Sequence, residues 1–490
     1  MAKLKDYQGR YCESDYENAF LALLEKAGWT YSAGNTIQRK SRHDVLIAED
    51  FMAFLRSSSP QLTEEERTRI FDTVRLAGGE SDFATLHKVY NWMVYGIQFV
   101  PQSGLPCMVP LINFDDPAKN IFRAVNQFTI EYTNNGQKEN RRPDVLLFVN
   151  GMPLCVIELK NPADANATIH DAWEQITIRY WRDIPHLLHY CPLACISDGV
   201  KTRLGTVRTP YEHFYAWRRV NDSDQISTLP FVETETLING VYSSARFLEI
   251  FRDYIYFQDS IYDSSEVEIV CRYPQFFAAR KLKQSIVQSV VSGTGKGGTY
   301  FGATGCGKTY TMAFLARQLA LRCADTPEIG SPTIVMIVDR DDLQKQSAKL
   351  FTKSQEFLNL GQVSVVKDRK QLRNELSKRQ SGGFYICTIQ KFCDRKEDKI
   401  GLINPRRNIV CFSDEAHRTQ LEHSKKIQFS KDSDENMKAL VSKPYAKVLR
   451  EAFPQATFVG FTGTPIAETY QTFGNEIDRY TMDQAVADGL

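Results

Sequence analysis

The chain has 490 residues, 42% of them hydrophobic and 24% charged. That is too long for one core and too apolar for a disordered or fibrous chain, so two to four domains of ~100–200 residues are expected. Sixty Lys and Arg against 59 Asp and Glu leave a net charge of +1, so any nucleic-acid surface has to be a local patch. The opening MAKLKDYQGRYCESD lacks the apolar core of a signal peptide, and no apolar run reaches the ~18 residues of a membrane span. The 11 cysteines form no CxxC pair, so a cytoplasmic, reducing setting with no membrane partner is expected.

In chain order, DYENAFLALLEKA at 15–27 places Phe20, Leu21, Leu23 and Leu24 on one side of a helix that Gly28 stops. Residues 40–100 look helical, with a Ser/Pro start and a Glu three residues on in SSSPQLTEEERTRIF. Beta-rich runs and turns follow to about residue 200. Residues 222–240 are polar and weakly patterned, FLEIFRDYIYF at 247–257 predicts a helix, and QDSIYDSSE at 258–266 is the expected domain boundary. From residue 299, short apolar strands (TYF, PTIVMIVD, GGFYICTI, RNIVCFSD, ATFVGFTG) alternate with helical stretches, as in a parallel sheet covered on both faces. The expected fold class is α/β, with one domain over 1–257 and a second over 258–490.

Residues 142–161 read RPDVLLFVNGMPLCVIELKN, two strand-like runs around Asn150-Gly151, a hairpin signal. Alternation puts Glu158 and Lys160 on one face and Leu159 in the core. An ideal two-residue turn would set Asp144 opposite Ile157, on the wrong face. A bulged turn with Gly151 left-handed, or a bend at Pro143–Asp144, would bring it round to Glu158. Two carboxylates on one face suit a hard divalent cation, normally magnesium, which would neutralise a scissile phosphate and acidify an attacking water. Lys160 would stabilise charge building on the phosphate or orient the water.

The wider segment NQFTIEYTNNGQKENRRPDVLLFVNGMPLCVIELKNP resembles the nuclease region of the restriction (R) subunit of type I restriction–modification enzymes. In that family a PD-(D/E)xK nuclease, a mixed sheet flanked by helices, precedes a helicase-like motor. The resemblance implies Asp144 and Glu158 as metal ligands, a nearby carbonyl from Ile157, and Lys160 as the catalytic lysine. It also implies an extra acid at Glu17, with Glu13 and Asp15 competing. The family carries a Gln-x-x-x-Tyr element after the lysine. Here Gln175 and Tyr180 have four residues between them, which at α-helical periodicity turns them apart, whereas Gln175 and Arg179 share a face. Gln175, Arg179 and Tyr180 are accessory candidates that could contact DNA phosphate or orient the catalytic groups.

GATGCGKT at 302–309 satisfies GxxxxGK[ST], follows the strand TYF and opens a helix. Backbone amides across Gly302, Thr304, Gly305, Cys306 and Gly307 would face the phosphates of ATP. Lys308 would reach the β- and γ-phosphates, and Thr309 would ligate magnesium. Gly293, Gly295 and Gly298 also fit GxGxxG, but they have no convincing strand before them and no helix after, and read as a flexible connector. Asp414-Glu415-Ala416-His417 follows NIVCFS: Asp414 would hold the metal, Glu415 would polarise the attacking water, and His417 would couple nucleotide to neighbouring groups.

Phe461-Thr-Gly-Thr-Pro465 resembles the linker motif of superfamily 2 helicases, with Thr462, Gly463 and Thr464 coupling ATP state to movement. Arg272-Tyr-Pro-Gln275-Phe resembles the adenine-sensing segment, whose Gln amide both donates and accepts. VDRDDLQKQ at 338–346 and TIQKF at 388–392 resemble segments that grip one DNA strand. His186, His189, Cys191 and Cys195 are too irregularly spaced for zinc, and the basic run at 367–380 reads as a solvated helix face.

The sequence stops soon after TGTP, so a first RecA-like lobe without its second is expected, about half of a typical R subunit. The reading is an ATP-dependent, type I site-specific deoxyribonuclease. Translocation of double-stranded DNA would be coupled to magnesium-dependent cleavage, in complex with methylation (M) and specificity (S) subunits. The alternatives are a single-chain restriction enzyme of the same order and a DNA-binding ATPase with a decayed nuclease. Intact Asp144, Glu158 and Lys160 argue against the last.

Overall fold

The computed structural model describes residues 13–102, 104–161, 168–224, 232–258, 266–303, 305–323, 325–339, 341–392, 401–416, 428–431, 437–440 and 445–489. The chain divides into two compact units, one running to Phe257 and rejoined by the residues up to Arg272, the other from Tyr273 onward. Most of the expected boundary at 258–266 lies outside the described residues.

In the first unit six strands lie in one sheet in chain order: β1 (Thr30–Ala33), β2 (Phe122–Asn126), β3 (Val145–Val149), β4 (Met152–Leu159), β5 (Leu193–Ser197) and β6 (Thr202–Thr206). β1–β2 and β4–β5 pair parallel and the other neighbours antiparallel, so the sheet is mixed. β3 and β4 are buried along their whole length, which is why they read as continuous apolar runs; Glu158 is the one charge in either. Helix α1 (Glu13–Lys26) buries Phe20, Leu21 and Leu24 and ends before Gly28, whose φ of 102° breaks the helix.

Three local expectations change. The helix expected from a Ser/Pro start begins at Thr63, because Thr63 and Glu66 form a reciprocal capping box; Ser59 instead closes the preceding helix. The weakly patterned 222–240 stretch contains the helix Val232–Val241. FLEIFRDYIYF divides into a helix, Ser244–Asp253, and a strand, Ile255–Gln258, since the aromatic IYF run pairs with Val267–Val270.

The second unit is built on seven parallel strands: β7 (Lys296–Gly302), β8 (Thr333–Val338), β9 (Val363–Val365), β10 (Phe384–Thr388), β11 (Ile409–Asp414), β12 (Thr457–Thr462) and β13 (Glu476–Tyr480). Their order is β9-β10-β8-β11-β12-β7-β13, all parallel, so β7, β12 and β11 are neighbours. Helix α2 (Tyr273–Ser292) packs on β7 and on α3 (Lys308–Leu321).

Gly293, Gly295 and Gly298 are not a flexible connector but the ordered turn from α2 into β7. The Gly295 carbonyl accepts from Phe458 N–H (3.1 Å) and Arg450 (2.8 Å), and a Cβ on Gly298 would overlap Ile477. Among the described residues no helix is long and apolar enough to cross a membrane.

Candidate functional site

The turn from β3 to β4 is a tight two-residue one. Val149 pairs with Met152, and Asn150 (φ 51°) and Gly151 (φ 76°) are both left-handed. The extra residue lies inside β4: Leu147 faces Cys155 whereas Phe148 faces Pro153, leaving Leu154 unopposed. Proline cannot donate to a ladder, and a bulge beside it absorbs the gap. The bulge shifts the register by one, so Val145 faces Ile157 and Asp144 comes opposite Glu158.

Asp144 Oδ2 accepts the Leu159 N–H at 2.8 Å, and Oδ1 accepts from Gln127 Nε2 at 3.4 Å. Gln127 also donates to Glu17 Oε2 at 2.6 Å, while Asn126 Nδ2 donates to Glu17 Oε1 at 2.5 Å. Glu17 therefore stands one amide away from Asp144, with both oxygens engaged. Asn126 and Gln127 had no signal in the sequence, because their partners are 109 and 110 residues away.

Alternation along β4 also decides which carbonyl is available. Leu159 N–H points to the β3 side and Lys160 N–H to the β5 side, where it donates to Ser197. The Ile157 carbonyl, expected near the metal, thus faces Val145 within the ladder. Leu159 turns its carbonyl to the same side, past the start of β3, where Pro143 has no N–H to offer.

Glu158 is completely buried. Its Oε1 accepts the Tyr180 hydroxyl at 2.6 Å; Oε2 has no hydrogen-bond partner and lies 4.0 Å from Lys160 Nζ. Burial, reinforced by Asp144, pushes the Glu158 carboxyl well above the usual carboxylate range. Lys160 Nζ donates to Gln175 Oε1 at 2.8 Å, and Gln175 Nε2 donates to Tyr180 Oη at 2.9 Å. Glu158, Tyr180, Gln175 and Lys160 thus close a ring.

That ring overturns the expected divergence of Gln175 and Tyr180. Residues Gln175–Tyr180 form a π-helical segment between the α-helical turns Ile169–Glu174 and Trp181–Asp183. Five residues along an α-helix leave side chains ~140° apart. The wider π turn, with its i→i+5 ladder, brings them back over one another. Arg179 stays exposed and pairs with Glu174 at 3.7 Å.

Among the described residues no three His, Cys, Asp or Glu side chains gather as a metal-binding group. A cation here would have Asp144, Glu158, the Leu159 carbonyl and water. Few protein ligands, all oxygen, suit magnesium, and the buried Glu158 Oε2, which has no hydrogen bond, marks where it would fit. The His/Cys grouping goes to separate partners: His186 stacks on His43, His189 Nε2 meets Asp82 at 2.8 Å, and Cys191 Sγ donates to the Pro153 carbonyl. Cys195 is buried, and burial pushes its thiol up to about 12.

In the second unit, Gly302, Asp414 and Thr462 end the three adjacent strands β7, β11 and β12. Thr304 and His417 lie outside the described residues. Gly305 (φ 84°) and Gly307 (φ 83°) shape the loop that opens α3, beside the buried Cys306 and with Thr309 in the first helical turn. A Cβ on Gly307 would also come within 2.6 Å of Gln275 Nε2, which donates to the Gly307 carbonyl at 3.4 Å. Lys308 Nζ donates to the Gly302 carbonyl at 3.2 Å and lies 3.8 Å from Glu415 Oε1. Burial, with Glu415 alongside, pushes the Asp414 carboxyl up to about 6. Thr464 N–H donates to Thr462 Oγ1 at 3.1 Å across Gly463. In the two segments expected to grip DNA, Lys391 Nζ donates to Gln344 Oε1 at 2.9 Å, so they are tied to each other.

Residues 10–213 match the family model described as the type I restriction enzyme R protein N terminus, and residues 274–490 match that of the SWI2/SNF2 ATPase. The chain is 31% identical over 499 residues to the type I restriction enzyme HindI endonuclease subunit of Haemophilus influenzae, covering 97% of this chain and 45% of the relative. It is 28% identical over 508 residues to the MjaIXP endonuclease subunit of Methanocaldococcus jannaschii, with the same coverage of 97% and 45%. The chain spans about half the length of these relatives.

Proposed function

The chain belongs with the endonuclease (R) subunits of type I restriction enzymes, and on that premise we propose that its first unit cleaves double-stranded DNA with magnesium and its second uses ATP to move that DNA. The observation that carries the nuclease reading is the pair of carboxylates, Asp144 and Glu158, brought to one spot by the Leu154 bulge with a lysine alongside.

Asp144, Glu158 and the Leu159 carbonyl would hold the metal. A bound magnesium ion supplies charge neutralisation at the phosphate and an acidified water. Tyr180 holds Glu158 Oε1 and so leaves Oε2 for the cation. Gln175 tethers Lys160, which carries a positive charge toward the non-bridging phosphate oxygens as negative charge builds there. Gln127 fixes Asp144 and links it to Glu17, which we assign a supporting role.

In the second unit Lys308 would exchange Gly302 and Glu415 for the β- and γ-phosphates. Asp414 and Thr309 would hold magnesium, Glu415 would orient water, and Gln275 would read adenine. Thr462 to Thr464 would pass nucleotide state to movement. Methylation and specificity subunits would supply the target, in the cytoplasm.

The test is cleavage of supercoiled plasmid by the subunit assembled with those partners. Cutting should require magnesium or manganese, and Asp144→Ala, Glu158→Ala and Lys160→Ala should each abolish it while ATP hydrolysis stays near wild type. Robust cutting in excess chelator, or loss of both activities in folded variants, would sink the assignment.

A further inference from the structure

The two-stranded ribbon Ile130–Asn134/Gln137–Arg141 leads directly into the carboxylate strand, with Arg142 and Pro143 the only residues between it and Asp144. Its two faces differ. On one, Ile130 and Tyr132 are buried, Tyr132 Oη donates to Glu139 Oε2 at 2.6 Å, and Arg141 Nε donates to Asp183 Oδ2 at 2.7 Å. Tyr132 pairs across the ribbon with Glu139 and Ile130 with Arg141, so this face anchors the ribbon to its own unit.

Alternation sends Glu131, Thr133, Lys138 and Asn140 to the other face. Thr133, Lys138 and Asn140 are exposed there. Arg142 is exposed too, and a residue before proline is held extended, so the alternation continues to it. Arg42 joins from the neighbouring loop, whose carbonyl accepts the Glu131 N–H at 3.0 Å and whose guanidinium lies 3.6 Å from Glu131 Oε1. Lys138 and Arg142 have no anionic partner among the described residues. The face therefore carries three cations against one acid on a chain whose overall charge is +1, a concentration that total charge does not supply.

We propose that this ribbon face is the surface on which the first unit seats double-stranded DNA, Lys138 and Arg142 neutralising backbone phosphates on the two sides of a groove while Asn140, between them, faces its floor. The inference rests on the nuclease reading and deepens it. Lys138 and Arg142 are four residues apart, about 13 Å along a strand. That matches a major groove about 12 Å wide, into which a two-stranded ribbon fits. Because the same ribbon is pinned by Arg141–Asp183 and runs on into Asp144, a duplex seated on it is held in register with the carboxylate pair.

The experiment measures binding of the 490-residue chain to a fluorescent 40-base-pair duplex over a range of salt, in calcium so that cleavage does not intrude. Lys138→Ala/Arg142→Ala should reduce the steepness of log K against log[salt] by about 1.8, two phosphate contacts at ~0.9 each. Lys138→Arg/Arg142→Lys should restore it, and neither change should move the melting temperature, since both side chains are exposed. An unchanged slope in the alanine variant, with wild-type binding intact, would overturn the ribbon assignment and leave the nuclease reading standing. If the wild-type chain binds no duplex at any salt, the nuclease reading fails as well.

Discussion

Tyr180 donates its hydroxyl to Glu158 Oε1 at 2.6 Å, and both side chains are fully buried. That bond leaves Oε2 as the one carboxylate oxygen of Glu158 without a hydrogen-bond partner. Tyr180 thus directs which oxygen can meet a cation. Tyr180→Phe should raise the magnesium concentration needed for half-maximal cleavage roughly 10–100-fold, the usual cost of losing an outer-shell partner. Titrating magnesium against the cleavage rate measures it, and saturating metal should recover much of the lost activity. A drop in rate that metal does not rescue would assign Tyr180 to the chemistry itself.

The π turn makes a length prediction. Deleting Ile178, which is exposed, shortens the Gln175–Tyr180 step to four residues, which an ordinary α-helix places on one face. Cleavage by this deletion variant should stay within about tenfold of wild type. Inserting an alanine after Ile178 should abolish it, because six residues along an α-helix leave the two side chains ~120° apart. Equal damage from both changes would show that the π turn has no part in aligning them.

The raised Glu158 carboxyl has a consequence for stability. Its neutral form is favoured in the folded chain, so the penalty for its charge is absent below the unfolded carboxylate range, ~4.3. The penalty grows as pH rises toward the folded value. A cation that accepts the ionised pair offsets it. Magnesium should therefore raise the melting temperature more at pH 8 than near the unfolded carboxylate range. In chelator at pH 8, Glu158→Gln should melt a few degrees above wild type and lose the magnesium response. Differential scanning fluorimetry decides; a magnesium shift that survives in Glu158→Gln counts against this site.

Nucleotide binding should carry its own pH signature. Asp414 is pushed up to about 6, and its ionised form is the one that would hold metal. Magnesium–nucleotide affinity measured by calorimetry should hold steady above pH 7 and fall as pH drops through about 6. Lys308→Ala should cost at least tenfold in affinity at every pH. A flat profile down to pH 5 would remove Asp414 from the metal's ligands.

Much of this was readable in the residues. Asn150-Gly151 specifies a left-handed two-residue turn, and strand alternation puts Glu158 and Lys160 together whatever surrounds them. The parallel sheet of the second unit follows from short apolar runs at helix-sized intervals. What escaped was of two kinds. Leu154 is an unremarked aliphatic residue in an apolar strand, so nothing local marks it as the unopposed one; the same holds for the π turn, whose ITIR core suits an α-helix as well. Gln127 and Asn126 are recruited by folding, across 17 to 110 residues, and separations of that kind leave no periodicity to detect.

The bulge at Leu154 makes the carboxylate pair sensitive to counting. Lengthening β4 by one residue between Cys155 and Ile157 would put Asp144 at the level of Ile157 and send its carboxylate to the opposite side of the sheet from Glu158, although every one of these side chains would still be present. Inspection of residue identities would pass such a chain as intact, while its two carboxylates pointed in opposite directions. For this protein, then, a single-codon insertion in β4 would part the two carboxylates without changing either, whereas deleting the unopposed Leu154 would leave them on one face.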